Sequence, residues 1–193
     1  RILDFGKGFG CSAMKKNHIL QLALSAMFLA IGFVLPFLTG QIPQIGSMLL
    51  PLHLPALLCG FVCGWPWGLA VGFVLPVLRS LLFGMPPMVP TALAMAFEMA
   101  AYGAVAGLLY ARLPKGVPYV YAALICAMLA GRVVWGLASW AIYALLTENS
   151  FALAAFWTGG FVRAWPGMVL QLVLVPAIVA ALERAKLLPL KER

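Results

Sequence analysis

Charge is what this chain has least of. Only 9% of its 193 residues are charged, where a soluble domain carries about 25%. Five are acidic and two are histidines. So little polar surface cannot cover a water-facing fold, and with a mean hydropathy of +1.04 the chain reads as an integral membrane protein. The scarcity also limits chemistry. His18 and His53 are the only histidines, and Cys11, Cys59, Cys63 and Cys126 form no Cys-x-x-Cys pair, so neither a metal centre nor a cofactor is expected. Cys59 and Cys63, four apart in one apolar run, read as buried small hydrophobes. There is no GxxxxGK[ST] loop, no HExxH, no GxSxG, and no Ser/His/Asp set at matched depth. The chain therefore reads as neither an enzyme nor a motor. Its net charge of +8 is spread over run ends and single positions instead of a patch, which points to membrane topology signals and not to nucleic acid.

What is abundant is continuous apolar sequence. An outer-membrane barrel would show alternating segments of about ten residues, which are missing, so the fold class is all-α. The length suits six spans of roughly 20 residues. Residues 1–13 do not match the rest, and Met14-Lys15-Lys16-Asn17 reads like a natural start. The first thirteen are expected to be an upstream extension or an expression remnant outside the fold, and 14–193 a single membrane domain. Spans are expected at about 18–38, 47–64, 67–84, 91–111, 118–146 and 161–186. The run from Ser47 to Phe83 would extend about 55 Å as one helix, nearly twice the hydrocarbon thickness, so it must fold back. The break is Gly64-Trp65-Pro66-Trp67-Gly68. Gly60, Gly64, Gly68 and Gly72 recur every four residues around it, a spacing that lets helices approach closely. The fourth run is dense in alanine and glycine and is expected to be a closely packed central helix. With the N-terminus inside, Lys15, Lys16, Arg112, Lys115, Arg184, Lys186, Lys191 and Arg193 all fall on the cytoplasmic side, while loops 39–46, 85–90 and 147–160 hold no Lys or Arg. That is a positive-inside pattern with both termini cytoplasmic.

Four charges remain within or at the ends of spans: Arg79, Glu98, Arg132 and Arg163. Each costs roughly 2.5–3.5 kcal/mol at a helix centre, so they are expected to face the bundle interior, paired or hydrated. Arg79 and Glu98 flank the corner Phe83–Pro90. By helix rise they lie about 7 Å and 10 Å below its level, Arg132 lies about 9 Å below the same face, and Arg163 sits near the start of the last span. Arg79 and Glu98 fit an ion pair that locks two helices. One glutamate cannot balance three arginines, however, and the surplus suits an anionic solute such as a carboxylate. Trp135, one turn beyond Arg132, and Tyr102, one turn beyond Glu98, add either stacking and hydrogen bonds or ordinary packing. His53 is a ligand contact or a satisfied helix residue. Gln41 and Gln44 close over a ligand or stand solvated, and Met85 and Met88 are lid or interfacial residues.

These residues resemble the substrate-binding S components of energy-coupling factor (ECF) vitamin transporters, over Met14 to Lys186. Ala26-Met-Phe-Leu-Ala30 matches the family's AxxxA signature. The resemblance implies that Ala26 and Ala30 dock on the ECF transmembrane coupling subunit, which carries two ATPase subunits. Leu50-Pro-Leu-His-Leu-Pro-Ala-Leu-Leu-Cys-Gly, Pro76-Val-Leu-Arg-Ser-Leu-Leu-Phe-Gly-Met-Pro-Pro and Ala94-Met-Ala-Phe-Glu-Met-Ala-Ala-Tyr-Gly are similar to a subgroup assigned to pantothenate or a related vitamin. The expected function is therefore capture of a small anionic vitamin such as pantothenate at the outer face of the plasma membrane, with ATP hydrolysed on partner subunits. Two alternatives stay open: a self-sufficient channel or secondary transporter for a small anion, and a membrane scaffold whose ion pairs are purely structural.

Overall fold

The computed structural model of the chain describes residues 7–38, 50–114, 116–146, 158, 162 and 164–185. Among these residues the secondary structure is helical throughout. α1 runs Lys7–Leu38, α2 His53–Cys63, α3 Trp65–Phe83, α4 Leu93–Arg112, α5 Val117–Leu146 and α6 Trp165–Arg184. Five of these stretches are long and apolar enough to cross a membrane, the fourth including the turn before α4.

α2 departs from the expected span. It has 11 residues, about 16 Å of helix against a hydrocarbon core of about 30 Å. Apolar sequence alone does not start a helix. Leu50 takes a positive φ of 49°, and Pro51 and Leu52 form a turn, so α2 begins only at His53. It lies buried along almost its whole length, packed on α1, α3 and α4. At the other end Gly64, at φ 93°, reverses the chain directly into α3. Pro66 then sits in the first turn, where its missing N–H costs nothing.

α1 also differs from expectation, since its helix begins at Lys7 and so includes residues 7–13. Ala13, Met14, Lys15 and Lys16 are strong helix formers, and extending an existing helix is far easier than starting one.

α4 is the centre of the bundle, in contact with α2, α3 and α5. Its glycines explain why. A Cβ on Gly103 would strike the backbone of Gly68, and one on Gly60 would strike the backbone of Gly103. One on Gly68 would lie 2.6 Å from the Gly60 Cα, and one on Gly107 2.5 Å from the Trp65 nitrogen. α2, α3 and α4 thus meet backbone to backbone. Lipid gives no hydrophobic drive between helices, so this close van der Waals contact is what holds the three together.

Outside this crossing, Leu57, Phe61, Tyr102, Leu124, Val175 and their neighbours join α2, α4, α5 and α6 in one apolar cluster. Phe28, Cys59, Val62, Cys63 and Val71 join α1, α2 and α3 in another. Cys59 and Cys63 are buried there, with Cys59 Sγ 3.6 Å from Ser25 Oγ, whereas Cys126 is exposed on α5. Two polar ties close the end of the bundle where α4 and α6 finish: Trp67 Nε1 donates to Gln21 Oε1 at 3.1 Å, and Tyr110 Oη donates to Glu183 Oε1.

Between α3 and α4 the chain turns at Gly84, whose φ of 66° a side chain would disfavour. Met88–Ala92 then make a wide turn in which Val89 is extended. Met85 is exposed and Met88 half-buried on this corner.

Candidate functional site

Burying an ionised side chain in an apolar bundle is tolerated only where a partner neutralises it. Glu98, on the second turn of α4, is almost wholly buried. Its Oε1 lies 2.9 Å from Arg132 Nη1 on α5, and its Oε2 lies 3.5 Å from His53 Nε2, the first residue of α2. Three helices therefore converge on one carboxylate. Tyr102, one helical turn after Glu98 on the same face, sits edge-on to the His53 ring at 5.2 Å. Its hydroxyl feels the charges of both Glu98 and Arg132. Gly131 admits the tyrosine ring: a Cβ there would run into Tyr102, so α5 can lie this close only with glycine before Arg132.

A fourth helix, α6, adds a buried polar residue, Gln171. Glu98 is about 8 Å from the start of α4, and Gln171 about 9 Å from the start of α6. Gln171 is fully buried. It lies on the α6 face that carries Met168, Val175 and Val179, all packed into the cluster containing Leu54, Tyr102 and Met128.

The set is polar, but its hydrogen bonding is incomplete. His53 Nδ1, Tyr102 Oη, Arg132 Nε and Nη2, and both amide atoms of Gln171 are buried without a hydrogen-bond partner among the described residues, while Glu98 Oε1 and His53 Nε2 have their ion-pair contacts alone. Most buried polar groups are paired. The exceptions here fall on four helices, α2, α4, α5 and α6, and leave hydrogen-bonding capacity unused. Arg132 shows it best. The guanidinium turns Nη1 to Glu98 and keeps the Nε–Nη2 edge free, and that edge presents two parallel donors to a carboxylate or phosphate.

Arg79 is not part of this set, which corrects the pairing expected between Arg79 and Glu98. Arg79 Nη1 donates to the Phe33 carbonyl of α1 at 3.2 Å, and its guanidinium lies 5.7 Å from the Phe37 ring centre and 5.4 Å from that of Phe83. The expectation matched depth but left direction open. On α4 it is Met99 whose carbonyl faces Gly72 of α3, and Glu98 stands about 100° round the helix from it, toward α2 and α5. Arg79 instead clasps α1 beside Pro36, where a proline lacks the N–H of the helix ladder. Replacing Arg79 with methionine should cost about 1–3 kcal/mol of stability and speed hydrogen exchange in the last turns of α1. Unchanged exchange there would argue against the clasp.

Of the other expected site residues, Trp135 is half-buried one turn beyond Arg132. Arg163, Gln41 and Gln44 lie outside the described residues. Within the spans, charge singles out Arg79, Glu98 and Arg132 and leaves the neutral Gln171 unmarked. Its signal was there: it is the only strongly polar residue between Trp165 and Leu182.

Compared with known proteins, the chain matches the family model described as ECF transporter, substrate-specific component, over residues 20–179. Neither the curated proteins nor the solved structures offer a match.

Proposed function

The chain belongs to the ECF transporter substrate-specific components, and from that premise we propose that it captures a small anionic vitamin, pantothenate being the first candidate, from the outer face of the plasma membrane. Members of this family are membrane-embedded substrate-binding subunits that work with coupling and ATPase subunits. The observation that carries the proposal is the free Nε–Nη2 edge of Arg132, held in a buried site by Glu98. Glu98 takes the role of a positioning residue: it fixes the guanidinium and offsets its charge. Tyr102 and His53 stand beside Glu98, and Trp135, Arg163 and Gln41 are proposed as further ligand contacts. Arg79 is left out of the ligand set, because α1 already engages it.

The Lys/Arg asymmetry of the loops supports cytoplasmic termini. With that orientation α2 is proposed to take part in a sixth crossing. Ala26 and Ala30 stand exposed on one face of α1, with Ala23, Val34 and Phe37 beside them, and that face suits docking on the coupling subunit.

The test is to purify the protein, identify co-purifying small molecules by mass spectrometry, and measure uptake in liposomes with and without the coupling module and ATP. Uptake should require all three components. Uptake by this chain alone, driven by an ion gradient, would instead establish a self-sufficient carrier.

A further inference from the structure

We propose that Gln171 is a specificity-determining residue, and that the ligand carries an amide-type group, donor and acceptor side by side, close to its carboxylate. This rests on the substrate-capturing reading above and adds a second recognition element to it.

The argument starts from what a glutamine amide requires. It has two donor hydrogens and an acceptor oxygen. Buried with neither end paired, such a group costs stability, which is why one is rarely found in an apolar helix without a role. Gln171 is fully buried, and both Nε2 and Oε1 lack a partner among the described residues. It is not misplaced on the lipid face: Met168 and Val175, on either side of it along the helix, pack into the cluster that holds Tyr102. α6 itself touches both α2 and α5, the helices of His53 and Arg132.

The two free elements differ in chemistry. The Arg132 edge offers only donors and a positive charge, and so suits a carboxylate. Gln171 offers a donor and an acceptor without charge, the complement of an amide, a ureido group or a paired hydroxyl. A purely anionic, otherwise apolar ligand would leave Gln171 unpaired. A site built to hydrogen-bond a group rejects the analogue that lacks it far more strongly than an apolar pocket rejects an extra atom.

The experiment uses the full chain in detergent with four probes. Pantothenate, biotin and folate each carry a carboxylate and an amide-type group. Lipoate carries a carboxylate without one. The wild-type chain should bind at least one of the first three and bind lipoate much more weakly. Gln171→Leu keeps the bulk and removes the amide. It should weaken the preferred ligand about tenfold or more and leave lipoate unchanged. The unliganded variant should melt at the same temperature or higher, because an unpaired buried amide has been removed. Unchanged affinity in Gln171→Leu, with binding intact in the wild type, overturns the role of Gln171 alone. A lower melting temperature of the unliganded variant also overturns it, since the amide would then be structural. Failure of the wild type to bind any of the four overturns the substrate reading and this inference with it.

Discussion

Replacing Glu98 with alanine is expected to cost about 3–5 kcal/mol of stability, because Arg132 would then be buried without a counter-charge. The loss should not reflect the worth of the ion pair itself. Replacing both partners together, as Glu98→Leu with Arg132→Met, removes the charge along with its need for a partner and should recover most of the stability. The single and double variants form a cycle whose coupling term is read by denaturant unfolding in one detergent. Strong coupling, with the double variant well above either single one, is the expected pattern. If Glu98→Ala alone stays within about 1 kcal/mol of the parent, the carboxylate is not the keystone of the convergence of α2, α4 and α5. His53 should respond as well, since its Nε2 lies 3.5 Å from the same carboxylate.

The second large effect belongs to Gly103. A methyl group there meets the backbone of Gly68, which cannot rotate away as a side chain can. Gly103→Ala should therefore force α3 and α4 apart. It should cost at least the 1–3 kcal/mol or so of overpacking, and Gly103→Val should prevent accumulation of folded protein. Two controls rank the effect. Gly32→Ala meets the side chain of Leu75, which can shift as a backbone cannot, and Gly84→Ala meets nothing within 4 Å and pays only for its φ of 66°. The expected order of damage is Gly103, then Gly84 and Gly32, with each control near 1 kcal/mol. Equal effects at all three glycines would mean that the backbone crossing does not hold the bundle.

These two features were legible in the sequence to different degrees. The crossing was plain. Glycines every four residues on either side of the Trp65 turn, and a fourth run rich in alanine and glycine, predict helices in close contact. The structure adds which glycine meets which. Glu98, Tyr102, His53 and Arg132 stood out because a lone polar residue in an apolar run needs a reason. Their partners were less legible. Counting rise along a helix gives depth, but it says nothing of azimuth unless a contact fixes the rotation. That is why Arg79 read as the mate of Glu98 although it faces α1.

α2 shows a second limit. An apolar run does not announce where its helix begins, and here the turn at Leu50–Leu52 shortens the helix to 11 residues. Gln171 shows a third. A search led by charge passes over a neutral amide, although burial makes an unpaired amide nearly as telling. The three together explain why the fold class and the family could be read from residue order, while the composition of the site needed coordinates.

Arg132, fixed by Glu98, is proposed to receive the carboxylate of a small anionic ligand. The most direct test is a calorimetric titration of purified wild-type and Arg132→Lys protein with pantothenate, folate, biotin and thiamine. Lysine preserves the charge opposite Glu98 but lacks the paired Nε–Nη2 edge. Tight binding of one of the anionic vitamins to the wild type is expected, with a loss of roughly 10–100-fold in Arg132→Lys and stability largely kept. Tight binding of cationic thiamine with none of the anions, or an anion affinity that Arg132→Lys leaves unchanged, would contradict the proposal.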